Sequence, residues 1–154
     1  MPTLREELRQ KKPFGSLWQE AFLNVARTEA VLSAGIERVL APHGLSLTQY
    51  NVLRVLRGAE TGGLCRNEVR DRLVSRMPDV TRLLDRMEAA ELVHRVRSSE
   101  DRRVVNTTLT KRGRELVDSL DDAVAAEHER QLGHMTDGQL RKLVELLSLA
   151  RSRP

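Results

Sequence analysis

Val74-Ser75-Arg76-Met77-Pro78-Asp79-Val80-Thr81-Arg82-Leu83-Leu84-Asp85-Arg86-Met87-Glu88, residues 74–88, reads as a polar turn that becomes a helix. Pro78 suits a first helical turn, where its missing N–H has no helical partner. Val80, Leu83, Leu84 and Met87 then recur at i, i+3, i+4 and i+7, the spacing of one buried stripe. Opposite that stripe lie Asp79, Arg82 and Arg86, with Thr81 near the N-terminus.

The flanks give this helix its meaning. Upstream, Gly62-Gly63 breaks the chain before a short helix over about 66–73, with Val69 and Leu73 at i and i+4. Cys65 stands where a cap belongs, three residues before Glu68, and is a weaker cap than serine. Downstream, from Leu92, the period changes. Val93-His94-Arg95-Val96-Arg97 and Val104-Val105-Asn106-Thr107-Thr108-Leu109 are rich in β-branched residues, and Ser98-Ser99-Glu100-Asp101-Arg102-Arg103 separates them. The spacing predicts a two-stranded hairpin with a charged tip.

A short helix, a tight turn, a second helix with arginines opposite its apolar stripe, and an Arg-tipped hairpin form the outline of a winged helix-turn-helix. Arg82 and Arg86, at i and i+4, would enter a major groove side by side, with Arg76, Pro78 and Thr81 at the leading end. Arg102 and Arg103 reach for a minor groove or phosphates, with Asp101 placed to hold one of them. Arg82 and Arg86 also interleave with Asp79, Asp85 and Glu88, a pattern that on a solvated helix yields only weak i,i+3 and i,i+4 pairs. The ordered combination of elements is what favours duplex DNA as the partner.

The remaining chain reads as helices around this unit. Trp18, Phe22, Val25, Leu32, Ile36 and Val39 mark one long amphipathic helix after a polar lead-in, ending near Pro42-His43-Gly44. Ser46-Leu47-Thr48-Gln49 has the form of a capping box and opens a helix carrying Leu53 and Leu56. Thr110 caps a fifth helix bearing Leu116, Leu120 and Val124 to about Gly133. Thr136-Asp137-Gly138-Gln139 opens the last, with Leu140, Leu143, Val144 and Leu147 inward. The fold class is mainly α with a small β-hairpin wing.

Composition agrees with this reading. Among 154 residues, 31% are charged and 40% hydrophobic, the latter recurring at regular spacings, which argues against disorder. No stretch approaches the roughly 18 apolar residues of a membrane span, and Met1-Pro2-Thr3-Leu4-Arg5-Glu6-Glu7 lacks the apolar core of a signal peptide. A cytoplasmic protein with no membrane partner is expected. The net charge of +4 favours an anionic partner. Among the basic residues only Lys11, Lys12, Lys111 and Lys142 are lysines, so arginine, with its planar fork, supplies most of the positive charge. A high-GC genome would produce the same bias.

These residues resemble the MarR family of bacterial transcription regulators from Phe14 to about Val117. The likeness is carried by Pro78 to Glu88, by Leu92-Val93, by Glu100-Asp101-Arg102-Arg103-Val104-Val105, and by Leu109-Thr110-Lys111-Arg112-Gly113. Gly44-Leu45-Ser46-Leu47-Thr48-Gln49-Tyr50 is similar to the opening of the family's second helix. Where many relatives place small hydroxyl residues, this chain has Arg76, Met77 and Pro78. The resemblance implies one domain over 1–154, with dimerisation helices at about 14–41 and 111–151 and a DNA-binding part at about 46–110. It further implies a homodimer on a pseudo-palindromic operator, repression released by a small phenolic or other anionic ligand, Arg103 as the minor-groove arginine, Asp101 as its holder, and Thr81, Arg82 and Arg86 toward the major groove.

Other signals carry less. Trp18, His43 and Tyr50 are candidates to line a ligand cleft, against the commoner role of such residues in a core. Cys65, the one cysteine, excludes a disulfide framework within the chain, and a redox-sensing regulator built on it is an alternative. His128 and His134 with Glu127 and Glu129 have poor metal spacing, because six residues across Gly133 do not share a helix face. No phosphate loop, nucleophile elbow or acid–base constellation supports an enzyme, and no cofactor is expected. A helical dimer whose charged hairpin docks a protein is the other alternative.

Overall fold

A computed structural model of the chain describes residues 2–59, 62–75, 79–97 and 104–152. The chain divides into two units, residues 1–35 and 36–154. In the first, the lead-in that reads as merely polar contains a one-turn helix, α1 (Leu4–Glu7). Glu6 Oε2 accepts the Thr3 N–H at 2.7 Å, while Thr3 Oγ1 caps Glu6 at 3.4 Å. The long helix α2 (Leu17–Leu40) begins here, and the division between units falls within it. Its early apolar residues are not core: Trp18 is 86% exposed and Phe22 71%, with Leu17 and Val25 also exposed. Periodicity correctly identifies an apolar stripe but cannot say what covers it.

In the second unit the end of α2 contributes Ile36 and Leu40 to the core. A 3-10 turn at Ala41–His43 follows, and α3 (Leu47–Arg57) opens with the expected box. Ser46 Oγ accepts the Gln49 N–H at 3.2 Å, and Gln49 Oε1 accepts the Ser46 N–H at 2.9 Å. One inward face of α3, Val52, Leu53 and Leu56, meets Val69 from α4 (Arg66–Arg72) and the stripe Val80, Leu83, Leu84 and Met87 from α5 (Val80–Ala89). Val117 and Leu120 close the cluster. At about 25 cal/mol per Å² of apolar surface buried, such a cluster supplies the main drive for folding of this unit.

The hairpin is part of a larger sheet. Among the described residues β1 (Leu64–Cys65), β2 (Val93–Arg97) and β3 (Val105–Leu109) pair antiparallel in the order β1-β3-β2. The third strand escaped the sequence reading because two residues are too few to show a period of two. Leu64 sits opposite Thr107, and Arg95 lies opposite Thr107 from the other side. Gly63 makes the join possible: its φ is +75°, and a Cβ there would lie 2.4 Å from the Thr107 carbonyl oxygen.

Three helix boundaries differ from expectation. α5 begins at Val80, with Asp79 as its cap, which makes it ten residues long. A carboxylate on the first free N–H groups is a strong enough start signal to set the boundary there. α5 ends with Glu91 at φ 58° and the Leu92 N–H donating to the Met87 carbonyl, a left-handed cap. The single helix expected from Thr110 to about Gly133 is two, α6 (Lys111–Ser119) and α7 (Asp121–Leu132), hinged at Leu120. Neither proline nor glycine marks that break. Its residues on either side, Asp118 and Asp121, are both held by Arg57 of α3. α8 (Asp137–Arg151) leaves Leu140, Leu143 and Leu147 half-buried but Val144 64% exposed, so Val144 is not inward in this chain.

Candidate nucleic-acid interface

The outer surface of α5 is set by its cap. Asp79 Oδ1 accepts the Arg82 N–H at 3.0 Å, and Asp79 Oδ2 lies 3.0 Å from Arg82 Nε. The Arg82 side chain is nevertheless 84% exposed. Arg86 points along the same strip, its Nε donating to the Arg82 carbonyl at 3.3 Å. Asp79, Arg82, Asp85 and Arg86 line one open hollow on this face, and Thr81 is exposed beside it.

Asp85 and Glu88 behave differently from what their spacing suggests. They pair with Arg95 of β2 in place of Arg82 or Arg86: an Arg95 Nη bonds Asp85 Oδ1, and Arg95 Nε lies 3.2 Å from Glu88 Oε2. The backbone N–H of Arg95 also donates to Glu88 Oε1 at 3.0 Å. The reading of these charges as intrahelical pairs therefore holds only for Asp79 and Arg82. Sequence reasoning missed Arg95, since a partner ten residues away across a turn leaves no local signal.

The C-terminal end of α5 is anchored to α6. The Thr110 hydroxyl donates to the Glu91 carbonyl at 2.6 Å and accepts the Gly113 N–H at 2.9 Å, while the Thr110 N–H donates to the Leu92 carbonyl at 3.1 Å. Gly113 is required, as its Cβ would fall 2.0 Å from the Leu92 oxygen. Arg112 adds an exposed pair to Glu91 at 3.3 Å.

Of the residues singled out from sequence, Thr81, Arg82 and Arg86 come together on α5. Arg76, Pro78, Asp101, Arg102 and Arg103 lie outside the described residues, although β2 and β3 lead into the segment that carries the last three. Among the ligand candidates, Trp18 is exposed in the first unit and His43 is exposed on the 3-10 turn. Tyr50 is buried in the core of the second unit, where burial pushes its phenol up and the Arg54 guanidinium lies 5.9 Å from the ring centroid. Cys65 caps α4 through its backbone, its N–H donating to Glu68 Oε2 at 2.8 Å. Glu127 is taken up by Arg130, at 2.6 Å, and by Arg38, at 3.8 Å.

Residues 35–120 match a family model described as transcriptional regulator SarA/Rot. A crystal structure of a MarR transcription factor from Planctomyces limnophilus is 42% identical, covering 89% of this chain and 99% of that one, with a TM-score of 0.66. The chain belongs to the MarR family. It has the MarR-like winged helix-turn-helix fold, mainly helical with a small antiparallel three-stranded wing, of a DNA-binding, non-enzymatic transcription regulator. The HTH-type transcriptional repressor Rv2887 of Mycobacterium tuberculosis is 31% identical over 121 residues, 79% of this chain and 86% of that protein. CouR from Rhodococcus jostii RHA1, solved bound to p-coumaroyl-CoA, is 23% identical with a TM-score of 0.76, covering 92% of this chain and 99% of that one, a likeness of fold. Among the described residues of this MarR-family chain, no helix is long and apolar enough to cross a membrane.

Proposed function

We propose that this regulator is a cytoplasmic homodimeric repressor that binds a pseudo-palindromic operator and is released by a small phenolic or other anionic ligand. The observation that carries the reading is the exposed Arg82 and Arg86 strip on a helix whose apolar face is fully buried and whose two ends are held. Guanidinium groups so presented suit guanine edges and phosphates. The exposed apolar residues Leu17, Trp18, Phe22 and Val25 on α2, with Val144 and Leu149 on α8, support a second copy as partner. In this reading residues 14–41 and 111–151 dimerise and residues 46–110 bind DNA as parts of one domain. Two recognition helices then enter successive major grooves about one helical turn apart, while Arg76, Pro78, Asp101, Arg102 and Arg103 add contacts at the leading end and the wing tip.

Repression is supported by the likeness to the mycobacterial repressor, and a small anionic ligand by CouR, which was solved bound to p-coumaroyl-CoA. Trp18, His43 and Tyr50 are the cleft candidates. A ligand that favours a different spacing of the two recognition helices lowers operator affinity by its differential affinity for the two states, typically about 1–3 kcal/mol, or roughly five- to 150-fold.

The test is fluorescence anisotropy with the chain's own upstream intergenic duplex and a scrambled duplex across a salt series. Wild type should prefer the upstream duplex, Arg82→Ala should erode that preference, and Arg103→Ala should weaken binding to both. Equal, weak binding to both duplexes, together with no preferred site in a selection from random duplexes, would reject the reading.

A further inference from the structure

We infer that Arg95 is an affinity-determining residue of the DNA-binding face, masking the negative charge of Asp85 and Glu88 beside Arg82 and Arg86. The inference rests on the reading of α5 as the recognition helix. Successive helical residues turn by about 100°. Around the α5 axis, Arg82 and Arg86 therefore sit about 40° apart, with Asp85 about 60° to one side of Arg82, in the same hollow, and Glu88 about 60° further round. Left alone, these two carboxylates would oppose a phosphate backbone. Arg82 and Arg86 do not neutralise them: Arg82 is turned to Asp79, and Arg86 to the Arg82 carbonyl.

The neutralising charge comes from the sheet. Alternation along β2 puts Arg95 on the same face as Val93, which is 1% exposed and buried in the core cluster. Arg95 thus starts on the core face, opposite buried Thr107, and its guanidinium emerges at the rim of α5 with only 26% of the side chain exposed. Its planar fork reaches both carboxylates, one through an Nη and one beside Nε. Nε is buried, has no hydrogen-bond partner among the described residues and lies 3.2 Å from Glu88 Oε2, so charge is what ties it to Glu88. Among the described residues β2 is an edge strand, and Glu88 also takes the outward N–H of Arg95.

The experiment compares Arg95→Met, Asp85→Asn with Glu88→Gln, and the triple variant, by anisotropy on the upstream and scrambled duplexes across salt, with a thermal melt for each. Arg95→Met should lose about fivefold in affinity on both duplexes at low salt and reduce the salt slope by about 1. The triple variant should regain wild-type affinity, because the unmasked carboxylates are gone. Loss that persists in the triple variant, or an Arg95→Met protein that binds as wild type, overturns the inference while leaving the regulator standing. A wild-type protein without salt-dependent DNA binding overturns both. If Arg95→Met does not fold, Arg95→Lys serves: it keeps one charge but holds one carboxylate, so it should lose less and recover when Glu88→Gln is added, and a loss that Glu88→Gln does not reverse overturns the inference.

Discussion

Arg57 grips Asp121 edge to edge, with Nη1 2.7 Å from Oδ2 and Nη2 3.0 Å from Oδ1. The same Nη1 lies 2.9 Å from Asp118 Oδ1, so one guanidinium at the end of α3 spans the hinge at Leu120 between α6 and α7. Two-point arginine–carboxylate geometry resists rotation as well as separation.

This pair should be visible in the acid limb of stability. The Arg57 hydrogen bonds hold the Asp121 carboxyl below its ordinary value of 3.8. A carboxyl whose folded value is depressed stabilises the fold fully above the unfolded value, and that contribution fades as pH falls through the folded value. Asp121→Asn should therefore unfold at lower urea than wild type near neutral pH, and the gap should close below about pH 4. A gap that stays constant down to about pH 2 would show that Asp121 acts otherwise than through its charge.

Gly113→Ala inverts the usual rule for helices. Alanine normally favours a helical position by about 1 kcal/mol over glycine. Here the added methyl would meet the Leu92 carbonyl oxygen at 2.0 Å, a backbone atom with no freedom to swing aside. The variant should lose about 1–3 kcal/mol in urea unfolding. A stabilised protein would mean that α6 does not approach Leu92 so closely.

Asp79 has two separable roles, the cap of α5 and the ion partner of Arg82. Asp79→Asn keeps a capping oxygen and removes the charge, so stability should hold while affinity for both duplexes rises. Asp79→Ala loses the cap and should cost about 1 kcal/mol in stability. Equal melts for the two variants would argue against the cap.

Trp18 is the sole tryptophan and is 86% exposed in the single chain. If α2 is covered by a second copy, its emission should be blue-shifted at micromolar concentration and shift red on dilution. Phe22→Glu should yield a monomer by sedimentation and weaken operator binding. A red emission independent of concentration, with a monomeric wild type, would sink the dimer.

Much of the candidate DNA-binding face is legible in the chain because it rests on interactions within one or two helical turns. Val80, Leu83, Leu84 and Met87 share a stripe by periodicity alone, and that stripe places Arg82 and Arg86 outward. The boxes at Ser46 and Thr136 and the cap at Thr110 join groups three residues apart. Asp79 had the same local signal, and the pull of Pro78 toward an earlier helix start obscured it. Arg76, Pro78 and the wing-tip residues remain sequence-based expectations, outside the described residues.

What the sequence determines by itself is the order of elements and which face of each is apolar, since both follow from backbone hydrogen bonding and side-chain spacing along a short segment. Tertiary structure alone decides what meets those faces. It brings Leu64 and Cys65 into the sheet, draws Arg57 to carboxylates 61 and 64 residues away, and turns Arg95 onto Asp85 and Glu88. A charge carries no periodicity that names its partner, and the strength of a pair depends on burial and distance that arise only when the chain has folded.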